Sequence, residues 1–181
     1  MSNDALAFHY VCTLESARKL AESHNRFWVT NCGCRERKGK CDRSRTDVCL
    51  VFNEAFLGSG TERKEVVLAD VQEILHEARE KHLVSRPFRD ETKTSVDGIC
   101  FCCDDCCYYF LNPQERCDKG ELMERTDMPA CNDCGECVDV CYFKARSTEG
   151  GGLAVDSAKC YGCGLCVDVC PEGCVRLVAR E

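Results

Sequence analysis

The sequence predicts an α+β fold in which bound metal stabilises a small cysteine-rich N-terminal domain and a second small domain at the C-terminus. Three observations lead to this prediction. Strand-like and helix-like patterns alternate in the first half, 20 of the 181 residues are cysteines, and the last third contains an internal repeat. We place the domains at 1–111 and 128–181, with a charged linker at 112–127.

The cysteines account for much of the apolar composition. The hydrophobic share of 44% falls to about a third without them, which is low for a globular chain. Apolar burial alone is then a weak source of stability. Residues 1–20 show no basic segment followed by an apolar one, as a secretory leader would. We therefore expect a cytoplasmic protein whose cysteines bind metal and do not form disulfides.

Charge and hydropathy argue against two further classes. The formal net charge is −7, which is unfavourable for nucleic acid as the main partner. No stretch has the apolar length needed to span a membrane. We therefore expect protein partners.

The first half combines two helix patterns with short strand patterns. Thr13 has the position of an N-cap before apolar residues at helical spacing, and a longer amphipathic helix is predicted over 69–83. Strands are predicted over 8–11, 27–29 and 49–52, and Gly58-Ser59-Gly60 is typical of a turn.

The internal repeat has the form C-x2-C-x2-C-x3-C and occurs at 131–141 and again at 160–170. Three thiolates at this spacing can wrap one face of a four-iron cubane, because the chain reverses around the cluster. Gly135 and Gly164 suit the tight backbone that this reversal needs. Zinc is the alternative, but a zinc site takes four ligands in two pairs, which leaves surplus thiols in each repeat. The repeat therefore predicts iron–sulfur clusters.

The segment 128–178 resembles the bacterial two-cluster ferredoxin family. The likeness rests on both motifs and on Pro171 after the second; Tyr142 stands where the first motif usually has proline. The resemblance implies two [4Fe-4S] clusters, with the fourth cysteine of each motif ligating the other cluster. The implied ligands are Cys131, Cys134, Cys137 and Cys170 for one cluster, and Cys160, Cys163, Cys166 and Cys141 for the other. Cys174 is expected to be a small buried residue beside a cluster.

The cysteines of the first half predict a further metal site. Cys100, Cys103 and Cys106 have the C-x2-C-x2-C spacing of a cubane site, and a fourth ligand would come from the group Cys32, Cys34, Cys41 and Cys49. Cys102 and Cys107 would then point to a second site shared with that group. We favour an iron–sulfur cluster, with zinc and free or disulfide-bonded thiols as alternatives. The basic residues near Arg35 would offset cluster charge, or form a solvated loop.

This half also resembles a poorly characterised group of iron–sulfur proteins from anaerobes. These proteins combine a cysteine-and-arginine loop, a cysteine-rich segment of ICNCC type and a two-cluster ferredoxin domain. The likeness is carried by Cys32-Gly33-Cys34-Arg35, by 47–52 and by 99–107. It implies a metal-binding domain and names no reaction.

Together these patterns predict an electron-transfer protein that passes single electrons between redox partner proteins. No Rossmann fingerprint, P-loop or flavin-binding pattern occurs, so donor and acceptor would be other proteins. One alternative is an enzyme that reduces a disulfide or a small molecule at an N-terminal cluster, or at vicinal thiols such as Cys102 and Cys103. Another is a redox or oxygen sensor. The four histidines are scattered, and we assign no catalytic residue.

Overall fold

The computed structural model describes residues 6–56, 60–112 and 115–180. Helices cover 27% and strands 28% of the chain, and this mixed content agrees with the predicted α+β class. Gly58 and Ser59 of the predicted turn lie outside the described residues. None of the helices in the described part of the chain has the length and apolar composition needed to cross a bilayer.

The first part of the chain forms a seven-stranded sheet with helices. In chain order its elements are β1 (His9–Tyr10), α1 (Leu14–Glu22), β2 (Phe27–Thr30), α2 (Gly33–Lys38), β3 (Cys49–Val51), β4 (Arg63–Val66), α3 (Leu68–Glu80), β5 (Val84–Arg89), β6 (Val96–Cys102), α4 (Tyr108–Leu111) and β7 (Cys117–Asp118). The strand order is β4-β2-β3-β6-β5-β1-β7. Neighbouring strands are antiparallel, except that β1 and β7 are parallel.

One face of this sheet packs on α1 and α3 and forms the main core. Leu50 on β3 pairs with Ile99 on β6, and both are fully buried with Phe101 against the apolar sides of the two helices. The sequence predicts the start of α1 correctly, because the Thr13 hydroxyl accepts a hydrogen bond of 3.0 Å from the backbone N–H of Ser16.

The long helix α3 ends earlier than the sequence predicts. It stops at Glu80, and His82 then has a φ of 50°, a left-handed conformation that cannot continue a right-handed helix. Leu83 nevertheless remains in the core with 2% exposure. The apolar pattern of the sequence therefore continues past the last helical residue. Leu83 fits the pattern because it is buried in the core, although it lies after the helix.

The other face of the sheet carries sulfur and basic groups. Cys100 and Cys102 both point to it, since residues two apart on a strand share a face. Arg86 on β5 is the cross-strand partner of Cys100, and cross-strand partners also share a face. Side chains from the segments around α2 and α4 line a cavity over this face.

The second part of the chain is built from short elements. These are β8 (Leu122–Thr126), α5 (Glu136–Asp139), β9 (Arg146–Glu149), β10 (Gly152–Val155), α6 (Leu165–Asp168) and β11 (Val175–Ala179). Strand β8 pairs antiparallel with β11, and β9 pairs antiparallel with β10. Short 3₁₀ helices at Met128–Ala130 and Ser157–Lys159 precede the two cysteine repeats.

The segment that the sequence assigns to a linker contains two strands. Strand β7 pairs with β1 of the large sheet, and β8 pairs with β11 of the second part, so only 119–121 separate the two sheets. The backbone N–H of Gly120 donates to the Tyr161 carbonyl at 3.0 Å, and Arg180 Nε donates to the Gly120 carbonyl at 3.1 Å. Both pairing partners are remote in sequence, which is why composition alone suggests a linker.

The two parts of the chain contact each other through a shared apolar cluster. Cys107 of the first part is buried in it together with Tyr142 and Leu165 of the second. The ring of Tyr109 lies 6.3 Å from that of Phe143 between centroids. Tyr142, the residue that replaces the usual proline, is 5% exposed and therefore serves as a contact between the two parts.

Candidate metal centres

Each cysteine repeat of the second part has the same local structure. Two cysteines precede the short helix, the third lies within it, and the fourth follows it, around α5 in the first repeat and α6 in the second. The N-cap glycines Gly135 and Gly164 have φ of 82° and 86°, a conformation that glycine adopts without strain. The backbone turns in front of each helix, as the glycine positions in the repeat predict.

A small cavity at the surface combines cysteines from both repeats. It is lined by Cys131, Cys134 and Cys137 of the first repeat, by Cys170 at the end of the second, and by Cys174 beyond it. Cys134 is exposed. Cys174 is buried, and its Sγ lies 3.4 Å from Cys170 Sγ, so it is a further thiol of this cavity.

The other four cysteines of the repeats are close neighbours of one another. Burial, and then the nearby thiols of Cys166, Cys141 and Cys160, raise the pKa of Cys163 to about 12. Burial and the Cys160 and Cys141 thiols likewise raise the pKa of Cys166 to about 12. Such thiols become thiolates at neutral pH when a bound metal supplies positive charge.

A buried ion pair contacts cysteines of both repeats. Arg146 Nη1 donates to Cys137 Sγ at 3.2 Å, while its Nη2 donates to Glu124 Oε2 at 2.5 Å and to Thr126 Oγ1 at 2.7 Å. The backbone N–H of Glu124 donates to Cys160 Sγ at 3.5 Å. The side chains of Arg146 and Glu124 are only 1% and 4% exposed. This pair is therefore placed to influence both groups of thiols.

Eight cysteines of the first part line one cavity, and we call six of them, all but Cys103 and Cys106, the six-cysteine ring. Each of the six thiols influences the pKa of two others, so that the six form a closed sequence of neighbours. In ring order the members are Cys32, Cys34, Cys107, Cys102, Cys100 and Cys49. The cavity has a volume of about 210 Å³. The interaction with the neighbouring Cys100 thiol, followed by burial, raises the pKa of the Cys102 thiol well above its ordinary value.

Three other cysteines converge on one point, and we call them the three-cysteine site. The Sγ atoms of Cys41, Cys103 and Cys106 are separated by 3.6 Å, 3.3 Å and 3.5 Å. They are the one group of potential ligands in the described ranges whose donor atoms all lie within 4.8 Å of each other. The Cys106 thiol, with a further contribution from the Arg35 guanidinium, lowers the pKa of Cys103 to about 5.

Two buried arginines face these thiols. Arg86, 2% exposed, directs Nη1 at Cys107 Sγ (3.4 Å) and Cys102 Sγ (3.8 Å) and pairs with Glu115 through Nη2 at 2.7 Å. Arg35, 1% exposed, donates to the carbonyls of Arg45 and Phe101. Its burial alone would lower its pKa, but the Cys32 thiol and the three-cysteine site raise it overall. Arg35 therefore lies close to both groups of cysteines.

Ion pairs fasten the loop after α2 to the loop after β6. Lys38 pairs with Asp105, and Arg43 pairs with Asp104 at 3.1 Å. The basic residues of this segment therefore have two different roles. Arg35 is buried next to thiols, whereas Lys38 and Arg43 are partly exposed and join two cysteine-bearing segments through ion pairs.

The structure groups the N-terminal cysteines differently from the sequence prediction. Cys100 interacts with Cys49 and Cys102, whereas Cys103 and Cys106 converge with Cys41. All three nevertheless line the same cavity, so a cubane shared by Cys100, Cys103 and Cys106 stays a prediction. The grouping differs because Cys100 lies in strand β6, which ends before Cys103. For the same reason Cys102 and Cys103, considered as a vicinal pair, belong to different groups.

Sequence reasoning missed Arg86 and His9 as components of a site. His9 Nε2 lies 3.9 Å from Cys100 Sγ, and its Nδ1 lies 2.9 Å from Glu115 Oε1. The available signal was the alternation of Cys100 and Cys102, which indicates a strand with both thiols on one face. The neighbouring strands that supply His9 and Arg86 could not be identified from spacing.

Comparison with known families identifies one segment. Residues 130–174 match the family model described as a 4Fe-4S dicluster domain, and both cysteine repeats lie within that match. This part of the chain is therefore similar to 4Fe-4S proteins, and its cysteines supply the thiolates that such a cluster requires. No curated protein matches the chain.

Proposed function

We propose that the protein passes single electrons between redox partner proteins through iron–sulfur clusters. The observation that carries the proposal is the pair of cysteine repeats inside the segment that matches a 4Fe-4S dicluster domain. Iron–sulfur clusters held by four cysteines are electron carriers whose potentials the protein sets through charge, hydrogen bonds to sulfur and solvent exposure. The described residues offer each of these influences at the repeats.

The ligand sets follow from which thiols lie together. Cys170 shares a cavity with three cysteines of the other repeat, which supports a cluster held by Cys131, Cys134, Cys137 and Cys170. The mutual influence of the remaining four thiols supports a second cluster held by Cys160, Cys163, Cys166 and Cys141. Each cluster would then join the two repeats, so that cluster binding stabilises the fold of this domain.

The two clusters would have different surroundings. The first lies beside exposed Cys134, so a partner protein could approach it closely. The second includes Cys163, which packs in the same apolar cluster as Cys102 and Cys107 of the six-cysteine ring. Electrons could therefore enter at the exposed first cluster and pass from the second cluster to the first part of the chain through packed side chains.

The test is metal analysis and electron paramagnetic resonance on the full chain purified without oxygen. Two four-iron clusters predict at least about eight iron atoms and eight sulfide ions per chain. Reduction with dithionite should give signals of reduced [4Fe-4S] clusters, and a one-electron acceptor should reoxidise them stepwise. Protein that contains zinc and no sulfide would refute the proposal.

A control variant separates ligand loss from a general effect of removing a thiol. Cys12 lies outside both cysteine groups, and burial raises its pKa to about 12, so it is a neutral thiol. Cys12→Ser should keep full iron and sulfide content, whereas Cys163→Ser should lower both.

A further inference from the structure

We propose that the N-terminal cysteines form two separate metal sites: a polynuclear iron–sulfur cluster inside the six-cysteine ring, and a single thiophilic divalent cation at the three-cysteine site. This assignment does not depend on electron transfer between partners. It concerns which thiols bind which kind of centre.

The width of the ring excludes a single ion bound by three or more of its thiols. Metal–thiolate bonds to such ions are about 2.3 Å long, so two thiolates on one ion are at most about 4.6 Å apart. Among the described residues, no three thiols of the ring lie within 4.8 Å of one another. All six ring cysteines nevertheless line one cavity, which Cys103 and Cys106 also reach. They enclose a space, which calls for a centre with several metal ions.

The cavity has room for such a centre. Its volume of about 210 Å³ corresponds to the share of roughly seven water molecules in liquid water, at about 30 Å³ each. A cubane uses four thiolates, so the ring also provides two more for additional iron or for ligand exchange.

Buried positive charge shows that the cavity is prepared for an anionic group. In the described part of the chain no carboxylate pairs with Arg35, although it is 1% exposed. The Nε atoms of Arg35 and Arg86 both lack a hydrogen-bond partner there, and both residues line the cavity. A buried guanidinium without a carboxylate partner, as at Arg35, and a buried N–H without an acceptor, as at the Nε of both arginines, are unfavourable. Cluster thiolates and inorganic sulfides would supply the missing negative charge and hydrogen-bond acceptors.

The three-cysteine site has the dimensions of a mononuclear centre. For a tetrahedral ion with metal–sulfur bonds of about 2.3 Å, the sulfur atoms are about 3.8 Å apart. The observed separations of 3.3–3.6 Å are close to this value. Three protein ligands leave the fourth position to water or a small ligand, since no further Cys, His, Asp or Glu of the described residues converges on this point.

The experiment compares iron, zinc and sulfide contents of full-length variants purified without oxygen. The unmodified chain should contain more sulfide than the roughly eight ions of two four-iron clusters, and also one metal ion that brings no sulfide. Cys100→Ser should lower the additional iron and sulfide content, or shift the resonance of that cluster if a spare ring thiol replaces Cys100, and it should keep the single ion. Cys103→Ser should lose that ion and keep all the sulfide, and Cys12→Ser should match the unmodified chain.

Two results would overturn the proposal. One is an unmodified chain with no sulfide beyond that of the two C-terminal clusters, a measurement that needs no variant to fold. The other is a Cys103→Ser protein that loses sulfide, because the two groups would then be one site. Cys34→Ser, at a half-buried ring position, serves as a second ring variant, and the resonance of the C-terminal clusters reports whether each variant is folded. If the unmodified chain contained the additional sulfide but no C-terminal clusters, the proposed function would be refuted and the assignment of the two N-terminal sites would remain supported.

Discussion

Replacing Arg146 with methionine should lower the reduction potential of the cluster nearest to Cys137. Arg146 Nη1 lies 3.2 Å from Cys137 Sγ, and one metal–sulfur bond of about 2.3 Å places the nearest iron roughly 5.5 Å from the positive charge. At an effective dielectric constant of about 20, a unit charge stabilises an added electron at that distance by about 3 kcal/mol. This corresponds to about 130 mV for a one-electron couple. The Glu124 carboxylate, which Arg146 neutralises in the unmodified protein, remains and keeps the potential low.

The measurement is a dye-mediated potentiometric titration of full-length protein, followed by electron paramagnetic resonance. Arg125→Met is the matched control, because Arg125 is an exposed arginine on β8 next to Glu124. A solvent-exposed unit charge about 10 Å from a cluster contributes about 0.4 kcal/mol in water, or less than about 20 mV, so this variant should change the potential little. The double variant Arg146→Met with Glu124→Gln should recover part of the shift, since the unpaired carboxylate is then gone.

The reasoning would be wrong if Arg146→Met changed the potential no more than Arg125→Met, or if it raised the potential. A large shift in both single variants would also contradict it, because long-range surface charge would then explain the effect. Since breaking a buried ion pair typically costs about 3–5 kcal/mol of stability, the titration is compared only among samples with full iron content.

Three further predictions concern ligands and packing. Cys170→Ser should damage the cluster at Cys134, seen as loss of that resonance alone; loss of the other cluster's signal would mean that the fourth ligands are not crossed. Gly98→Ala should lower the thermal unfolding midpoint, because an added Cβ would lie 2.2 Å from the Leu50 carbonyl oxygen, whereas Gly152→Ala, with contacts no closer than 3.7 Å, should leave the midpoint nearly unchanged. Removing iron with a chelator should abolish hydrogen-exchange protection across both cysteine repeats while α3 stays protected, since the main core is apolar; equal protection with and without iron would contradict this.

The sequence predicts best where structure depends on neighbours along the chain. Thr13 caps α1 because its side chain reaches the N–H of Ser16, an interaction within one turn. The cysteine repeats are equally local, because glycines at 135 and 164 turn the backbone in front of each short helix. Such features need no knowledge of distant segments.

Spacing is a weaker guide where the same pattern lies on a different backbone. The C-x2-C-x2-C pattern that begins at Cys100 matches that of the ferredoxin-like repeats, yet Cys100 lies in strand β6, which ends before Cys103, and the thiols that influence its pKa are Cys49 and Cys102. Whether the segment is a strand depends on pairing with β3 and β5, which lie outside the pattern. Tyr142 illustrates the same limit, since its contacts with the first part of the chain explain the missing proline only once the two parts are seen together.

The short connection between β7 and β8 determines how the two halves can move. Three residues span at most about 10 Å when fully extended, and Gly120 within them is hydrogen-bonded through both its N–H and its carbonyl. An alanine at position 120 would place its Cβ 2.5 Å from the Val11 carbonyl oxygen. The connection is therefore also too tightly packed to accept a side chain at this position. Such a connection holds the two parts in a fixed relative position, whereas a carrier domain on a long flexible linker can move between partners. An electron crossing between the halves would therefore tunnel over a constant gap, at a rate independent of solvent viscosity.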